Sequence, residues 1–302
     1  MKFVVAGATG FIGRKLTDAL LEQGSSVIVL TRNPGGMQTT HPSLKFAPWD
    51  GERPGAWSQY LDGADAIINL AGQSIGDRRW TAHRKQQLRS SRVNSTKLLV
   101  EAVKDCRIKP RVLLNASAVG YYGNVETGDV TEKHPAGNDF LGKLCSSWES
   151  AALVATDLGV RVVLLRSGIV LDPKAGALQR MLLPYRLFVG GPLGSGRQWL
   201  PWIHREDEVR AILFAIDNEQ ISGPLNLAAP EPVSMLGFSK ALGKTLRRPA
   251  FFRVPSFVLR LLLGEMADMV LTGQRVVPKS LVEAGFEFRY PTLDKALADL
   301  FT

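Results

Sequence analysis

Val4-Val5-Ala6-Gly7-Ala8-Thr9-Gly10-Phe11-Ile12-Gly13 decides how the rest of the 302-residue chain is read. A short apolar run leads into three glycines, and an amphipathic stretch follows at once. Apolar Phe11, Ile12, Leu16, Ala19 and Leu20 fall on one side of a helix over 11–23. Strand, glycine turn and helix in that order make specific physical demands. The first glycine permits the tight turn off the strand, and the second lets the backbone approach a pyrophosphate. The third lets the helix pack closely on the sheet. A bound pyrophosphate then meets the free N–H groups and the positive end of the helix dipole. Gly7, Gly10, Phe11, Ile12 and Gly13 are therefore expected to hold a dinucleotide.

Working outward, apolar β-branched runs alternate with longer helical patterns. Strands are expected at 3–6, 26–30, 44–47, 64–70, 111–115 and 160–165, with helical patterns over 81–104 and 140–158. This alternation indicates βαβ units and a parallel sheet, whose strands are covered on both faces and so read as continuous apolar runs. After Leu171 glycine and proline become frequent (Pro184, Gly190-Gly191-Pro192, Gly194, Gly196, Pro201), which reads as a loop-rich lobe built onto the sheet. Helical patterns return at 206–217, 235–245 and 256–271, with a short strand at 225–228. The expected fold class is α/β: a doubly wound parallel Rossmann sheet with a smaller C-terminal α/β substrate lobe. The dinucleotide domain is expected at 1–170 and the lobe at 171–302, with some segments returning to the sheet.

The second strand ends in Val29-Leu30-Thr31-Arg32. An acidic residue at this point hydrogen-bonds the ribose 2′-hydroxyl of NAD, whereas an arginine accommodates a 2′-phosphate. The guanidinium fork suits phosphate oxygens, and Thr31 adds a hydroxyl. The cofactor expected is NADP(H).

Composition narrows the class further. The formal net charge is +9, from 37 basic and 28 acidic residues, and much of the excess sits at Arg78, Arg79, Arg84, Lys85, Arg89 and Arg92. A basic excess fits nucleic acid, an acidic membrane surface, a phosphorylated ligand or a solvated helix face. No nucleic-acid motif is present, so a small-molecule substrate is expected and nucleic acid is not. The two cysteines, Cys106 and Cys145, and the four scattered histidines form no metal-spaced cluster, so no metal is expected. Isolated cysteines fit a reducing compartment, and no apolar stretch is long enough to span a bilayer. A cytoplasmic protein without a membrane partner is expected; oligomeric state is not encoded in any pattern seen here.

Four further motifs carry a family resemblance. Together with the glycine loop, Asn69-Leu70-Ala71-Gly72 and Trp202-Ile203-His204-Arg205-Glu206-Asp207 resemble the extended short-chain dehydrogenase/reductases. Gly190-Gly191-Pro192-Leu193-Gly194-Ser195-Gly196-Arg197-Gln198 and Gly273-Gln274-Arg275-Val276-Val277-Pro278 are similar to an epimerase-like branch that ends in a domain of unknown function, here at about 250–299. The resemblance implies that Leu70, Ala71 and Arg92 lie beside the cofactor and Val170 lies near its nicotinamide end. It also implies that Arg197 holds a diphosphate, with Trp199 as a stacking partner and His204 in the second lobe.

The superfamily's chemistry uses a serine and a Tyr-x-x-x-Lys pair, in which the lysine lowers the phenol's pKa. Ser117 matches the serine, but no Tyr-x-x-x-Lys follows. Anchoring the helix on Glu149 puts Leu141 at the tyrosine position and Cys145 at the lysine position. Tyr122, Lys143 and Cys145 are the substitutes the sequence offers. Two functions follow: an NADP(H)-dependent epimerase or oxidoreductase with an atypical site, acting on a nucleotide-linked or hydroxylated substrate, or a catalytically impaired NADP(H)-binding regulatory protein.

Overall fold

The structure, a computed structural model, describes residues 1–36, 39 and 41–302. Seven strands form one sheet: β1 (Lys2–Ala6), β2 (Ser26–Thr31), β3 (Leu44–Pro48), β4 (Ala66–Asn69), β5 (Val112–Ala118), β6 (Arg161–Ser167) and β7 (Gly223–Leu227). Their spatial order is β7-β6-β5-β4-β1-β2-β3 and every pairing is parallel. The order reverses between β1 and β4. In an open parallel sheet, the crevice beyond the carboxyl ends of the strands at that reversal is where ligands bind.

Neighbouring residues of one strand serve opposite faces. Val5, Ile68 and Leu114 belong to one core, while Val4, Ile67 and Leu113 belong to the other. This is why the strands read as unbroken apolar runs. Helix α1 (Phe11–Glu22) packs on the first face. On the second, α2 (Ala82–Arg89) continues through a π-helical turn at Ser90–Asn94 into α3 (Ser95–Lys104), and α4 (Phe140–Leu153) lies beside α3.

After β6 the chain builds the lobe. Helix α5 (Gly176–Arg186), α6 (Arg205–Asp217), α7 (Met235–Leu246), α8 (Ser256–Leu263) and a terminal helix over Leu293–Phe301 are its main elements. A third core, including Leu178, Trp202, Phe238 and Leu297, holds the lobe together. Two segments return to the sheet: α6 packs against α1, and β7 pairs with β6.

The structure differs from the sequence reading in four places, each with a local cause. The helical pattern over 81–104 is split by the π turn that carries Arg92. The pattern over 140–158 tightens to a 3-10 turn at Val154–Leu158, closed by Gly159 at φ +78°. The pattern over 256–271 breaks after Leu263, where Gly264 takes φ +60°. The stretch read as loop-rich contains α5, with Pro184 inside it. Proline near a helix end removes one late hydrogen bond and leaves the earlier turns intact, and Leu178, Leu182 and Tyr185 bury that helix's inner face.

Candidate functional site: a dinucleotide crevice with a neutralised dyad

The glycine loop sits at the reversal between β1 and β4. Gly7 has φ +81°, and a Cβ there would lie 2.6 Å from the Leu70 carbonyl. A Cβ on Gly13 would lie 2.3 Å from the Gly7 oxygen. These two glycines are required by backbone contact alone. Gly10 differs: its φ is ordinary at −80°, and a Cβ there would meet only the Gly7 oxygen, at 3.1 Å. The space beside Gly10 is thus not filled by the protein.

Helix α1 starts at Gly10 with no side-chain cap and no acidic residue in its first turn. Thr81, Asp139, His204 and Ser234 cap α2, α4, α6 and α7, while α5 and α8 start uncapped as α1 does. Uncapped N–H groups at a helix start, beside open space at a glycine, fit a pyrophosphate. At the end of β2, Thr31 is half-buried and Arg32 is exposed, and Arg32 has no carboxylate partner among the described residues. Leu70 and Ala71 follow β4 directly; the Ala71 N–H donates to Asn69 Oδ1 at 3.2 Å. Phe11 and Ile12 are half-buried at the loop, and Val170 approaches it through Gly176, whose Cβ position lies 3.4 Å from the Phe11 ring.

Arg92, on the π turn, is held over this end of the sheet. It donates to Leu88 O at 3.2 Å and Gln73 O at 2.8 Å, and its guanidinium lies 5.2 Å from the Trp148 ring centroid. A π turn widens the helix locally and is frequent at functional sites. Burial pulls the Arg92 pKa down, but an arginine still keeps its charge near neutrality.

At the end of β5, Ser117 donates its hydroxyl proton to Glu149 Oε1 at 2.6 Å. Glu149 is clamped by Arg166, with Nε to Oε1 and Nη2 to Oε2 both at 2.8 Å, and both side chains are almost wholly buried. Arg166 also donates to the Tyr122 hydroxyl at 3.0 Å, and Tyr122 donates to Asn226 Oδ1 at 2.6 Å. Burial pushes the Tyr122 phenol up to about 12. A phenol so placed, already donating, is a poor acid or base at neutral pH.

Leu141 and Cys145 lie one turn apart on α4. Leu141 abuts Gly120, whose Cβ position would lie 3.3 Å from it. Burial, with Glu149 beside it, pushes the Cys145 thiol up to about 12, against the opposing influence of Arg92, Ser117 and the Ala118 backbone. The thiol is thus protonated and un-nucleophilic near neutrality. Lys143 is exposed on the other side of α4, flanked by buried Gly142 and Leu144. The structure therefore brings Ser117, Cys145 and Arg92 together, and leaves Lys143 outside.

In the lobe, Arg197 is exposed and Trp199 half-buried, with the Arg275 guanidinium 5.4 Å from the Trp199 ring centroid. His204 caps α6 by accepting the Glu206 N–H at Nδ1 (3.1 Å) and lies 3.9 Å, centroid to centroid, from the Tyr290 ring. Burial lowers its pKa, so it stays neutral. Asp207 accepts the backbone N–H groups of Arg289 and Tyr290 at 2.9 and 2.8 Å, fastening the C-terminal segment to α6. The two glycine-containing motifs of the lobe meet here: Gln198 Nε2 donates to Val270 O at 2.7 Å, and a Cβ on Gly273 would collide with Trp199 O.

Sequence reasoning missed Arg166, Asn226, Glu208 and Glu132, whose Oε1 accepts the backbone N–H groups of Asn226 and Ser280 at 3.2 and 3.1 Å. A signal for Arg166 was present: it follows an apolar strand run and Glu149 sits among apolar α4 residues, so each required a buried partner. Glu208 is buried, accepts from Ser167 Oγ at 2.6 Å and leaves Oε2 without a partner among the described residues. Burial raises its pKa from 4.5 to about 8. A carboxyl whose folded pKa is raised favours folding fully below its unfolded pKa, and that contribution is lost as pH rises toward the folded value. Wild-type stability is therefore expected to fall between pH 5 and pH 8, by up to about 1.4 kcal/mol per unit from this group. Thermal melts should show a flatter pH profile for Glu208→Gln; an unchanged profile would mean that Glu208 is ionised in the fold.

Sheet order, reversal point and glycine loop together define a Rossmann-type dinucleotide-binding protein. The chain belongs to the NAD dependent epimerase/dehydratase family, whose profile matches residues 3–228; a second profile, a domain of unknown function (DUF1731), matches residues 254–300. It is 42% identical to the epimerase family protein ML0860 of Mycobacterium leprae over 97% of this chain and 94% of the relative. It is 40% identical to the chloroplastic epimerase family protein SDR39U1 homolog of Arabidopsis thaliana, over 98% of this chain and 86% of that one. The crystal structure of human epimerase family protein SDR39U1 (isoform 2) with NADPH superposes with a TM-score of 0.88 at 34% identity, covering 99% of both chains. Among the described residues no helix is long and apolar enough to cross a membrane.

Proposed function

We propose that this chain is an NADP(H)-dependent oxidoreductase of the epimerase type, acting on a nucleotide-linked or hydroxylated small substrate without a tyrosine–lysine acid–base pair. The observation that carries the cofactor is the exposed Arg32 at the end of β2, without a carboxylate partner among the described residues, beside the uncapped start of α1. A related structure that contains NADPH supports the same choice. NADP(H), when bound, supplies hydride exchange at a carbon bearing oxygen.

In this reading the Gly10–Gly13 N–H groups hold the pyrophosphate, Arg32 and Thr31 hold the 2′-phosphate, and Leu70 and Ala71 flank the adenosine. Arg92 supplies positive charge over the crevice, and Val170 lines its nicotinamide end. Arg197 and Trp199 receive the substrate's phosphate and base. Ser117 positions α4 through Glu149, and no side chain at the dyad positions moves a proton near neutrality. A second reading, a cofactor-binding protein that has lost turnover, is favoured by the commitment of the Ser117 hydroxyl to Glu149.

Calorimetry with both cofactors tests the assignment. NADPH should bind more tightly than NADH, and Arg32→Ala should remove most of the difference. A charge-assisted hydrogen bond contributes roughly 1.5–3 kcal/mol, and the exposure of Arg32 favours the lower end, about tenfold. Equal affinities in the wild type would remove Arg32 from this role.

A further inference from the structure

We propose that the outer face of the lobe, formed by the end of α5 and by the segment leading through α8, docks the protein onto an anionic lipid surface. Fourteen large hydrophobic side chains are exposed among the described residues, and nine of them fall within 183–189 and 251–262. The most exposed are Leu261 at 74%, Phe251 at 73% and Phe257 at 71%. Ordinary surfaces scatter such residues singly; a concentration in neighbouring segments marks a contact surface.

The two segments are clasped side by side. Phe252 N donates to Gly190 O at 3.1 Å, Val254 N to Pro192 O at 3.1 Å, and Gly194 N to Val254 O at 2.8 Å. Phe188 adds a second sign of purpose. It holds a left-handed φ of +63° while 52% exposed. A bulky aromatic in that conformation is strained, and exposing its ring to water adds a further cost. Its contact is the Arg248 guanidinium, 4.2 Å from the ring centroid.

Charge identifies the occupant. Between Asp172 and Glu206 the chain carries five lysines and arginines and no carboxylate; between Glu231 and Glu265 it carries six and none. Arg248 and Arg253 are exposed beside Phe251 and Phe252. Apolar side chains rimmed by arginine suit the boundary between acyl chains and anionic headgroups, where aromatic and leucine side chains insert and arginines meet phosphate. A second copy of this chain docked on the same face would set these arginines against their own duplicates, so the lipid surface is the better match. Contact at the surface only replaces the sequence-based expectation of no membrane partner: α8 is eight residues long, too short to span a bilayer, with Phe257 and Leu261 one turn apart on its outer side.

Vesicle co-sedimentation tests the proposal, using the whole protein with phosphatidylcholine vesicles and with vesicles holding a third phosphatidylglycerol. Binding should be at least about tenfold stronger on the anionic vesicles and should fall at high salt. Phe257→Ser/Leu261→Ser should weaken it, and Arg248→Ala/Arg253→Ala should cost about fivefold per arginine. All four positions are exposed, so both variants should keep the wild-type melting temperature and NADPH affinity. Absence of binding to anionic vesicles, or equal binding by the variants, overturns the proposal. So does a lipid-free dimer that Phe257→Ser/Leu261→Ser dissociates, which would assign the face to a second copy.

Discussion

Gly10→Val is expected to abolish NADPH binding while the protein stays folded. The backbone at Gly10 has φ −80°, which any L-residue adopts, and its Cβ position meets one atom, the Gly7 oxygen, at 3.1 Å. The valine methyls would project into the space in front of the uncapped α1 N-terminus. A pyrophosphate needs that approach, so the loss should exceed a hundredfold, or about 2.7 kcal/mol. Gly13→Val makes the contrast. Its Cβ would lie 2.3 Å from the Gly7 oxygen and 2.6 Å from the Ala8 Cα, so helix and strand must separate. That variant should lose stability as well as binding. If Gly10→Val binds NADPH like the wild type, the pyrophosphate lies elsewhere.

Glu149→Ala is expected to destabilise the fold by about 3–5 kcal/mol, the usual cost of removing one partner of a buried ion pair. Arg166 is 3% exposed at its side chain and makes two of its hydrogen bonds to Glu149. Arginine cannot shed its proton, so the variant would keep an uncompensated charge beneath β5 and β6. Ser117 would lose its acceptor and Tyr122 its anchored donor in the same step. Glu149→Gln, which preserves shape and one acceptor, should cost less. At roughly 2–4 °C per kcal/mol for a domain approaching this size, the alanine melt should fall by several degrees or more. An alanine variant within 1 kcal/mol of the wild type would show that the pair is hydrated in solution.

How far the sequence disclosed this molecule depended on which physical term dominated locally. From β1 to β6 burial on both sheet faces dominates, and unbroken runs such as Val162–Leu165 place strand ends to within three residues, the largest miss being the end of β5 at Ala118. The loop Gly7–Gly13 was legible because two of its glycines, Gly7 and Gly13, are enforced by backbone contact and Gly10 keeps the regular spacing between them. Helix α5 was not legible as a helix, since Pro184 and the following glycines masked the apolar spacing of Leu178, Leu182 and Tyr185. The π turn at Arg92 was invisible too, and the Gln73 carbonyl that Arg92 meets is brought near only by the tertiary fold. At the site, the position of Leu141 and Cys145 followed from Glu149 alone. What Glu149 does there required its partner, and Arg166 is 17 residues away on another element.

A cofactor crevice of the epimerase type whose dyad positions cannot transfer a proton should bind NADP(H) without epimerising nucleotide sugars. The most direct test is the rate at which purified, NADP-loaded wild type interconverts nucleotide-sugar epimers, followed by chromatography beside Leu141→Tyr/Cys145→Lys. Without a positioned acid–base group the reaction forgoes roughly 10²–10⁴-fold. Tight NADPH binding with negligible wild-type epimerisation is expected, with any gain confined to the double variant. Robust wild-type turnover, or a wild-type activity that Lys143→Ala abolishes, would contradict it.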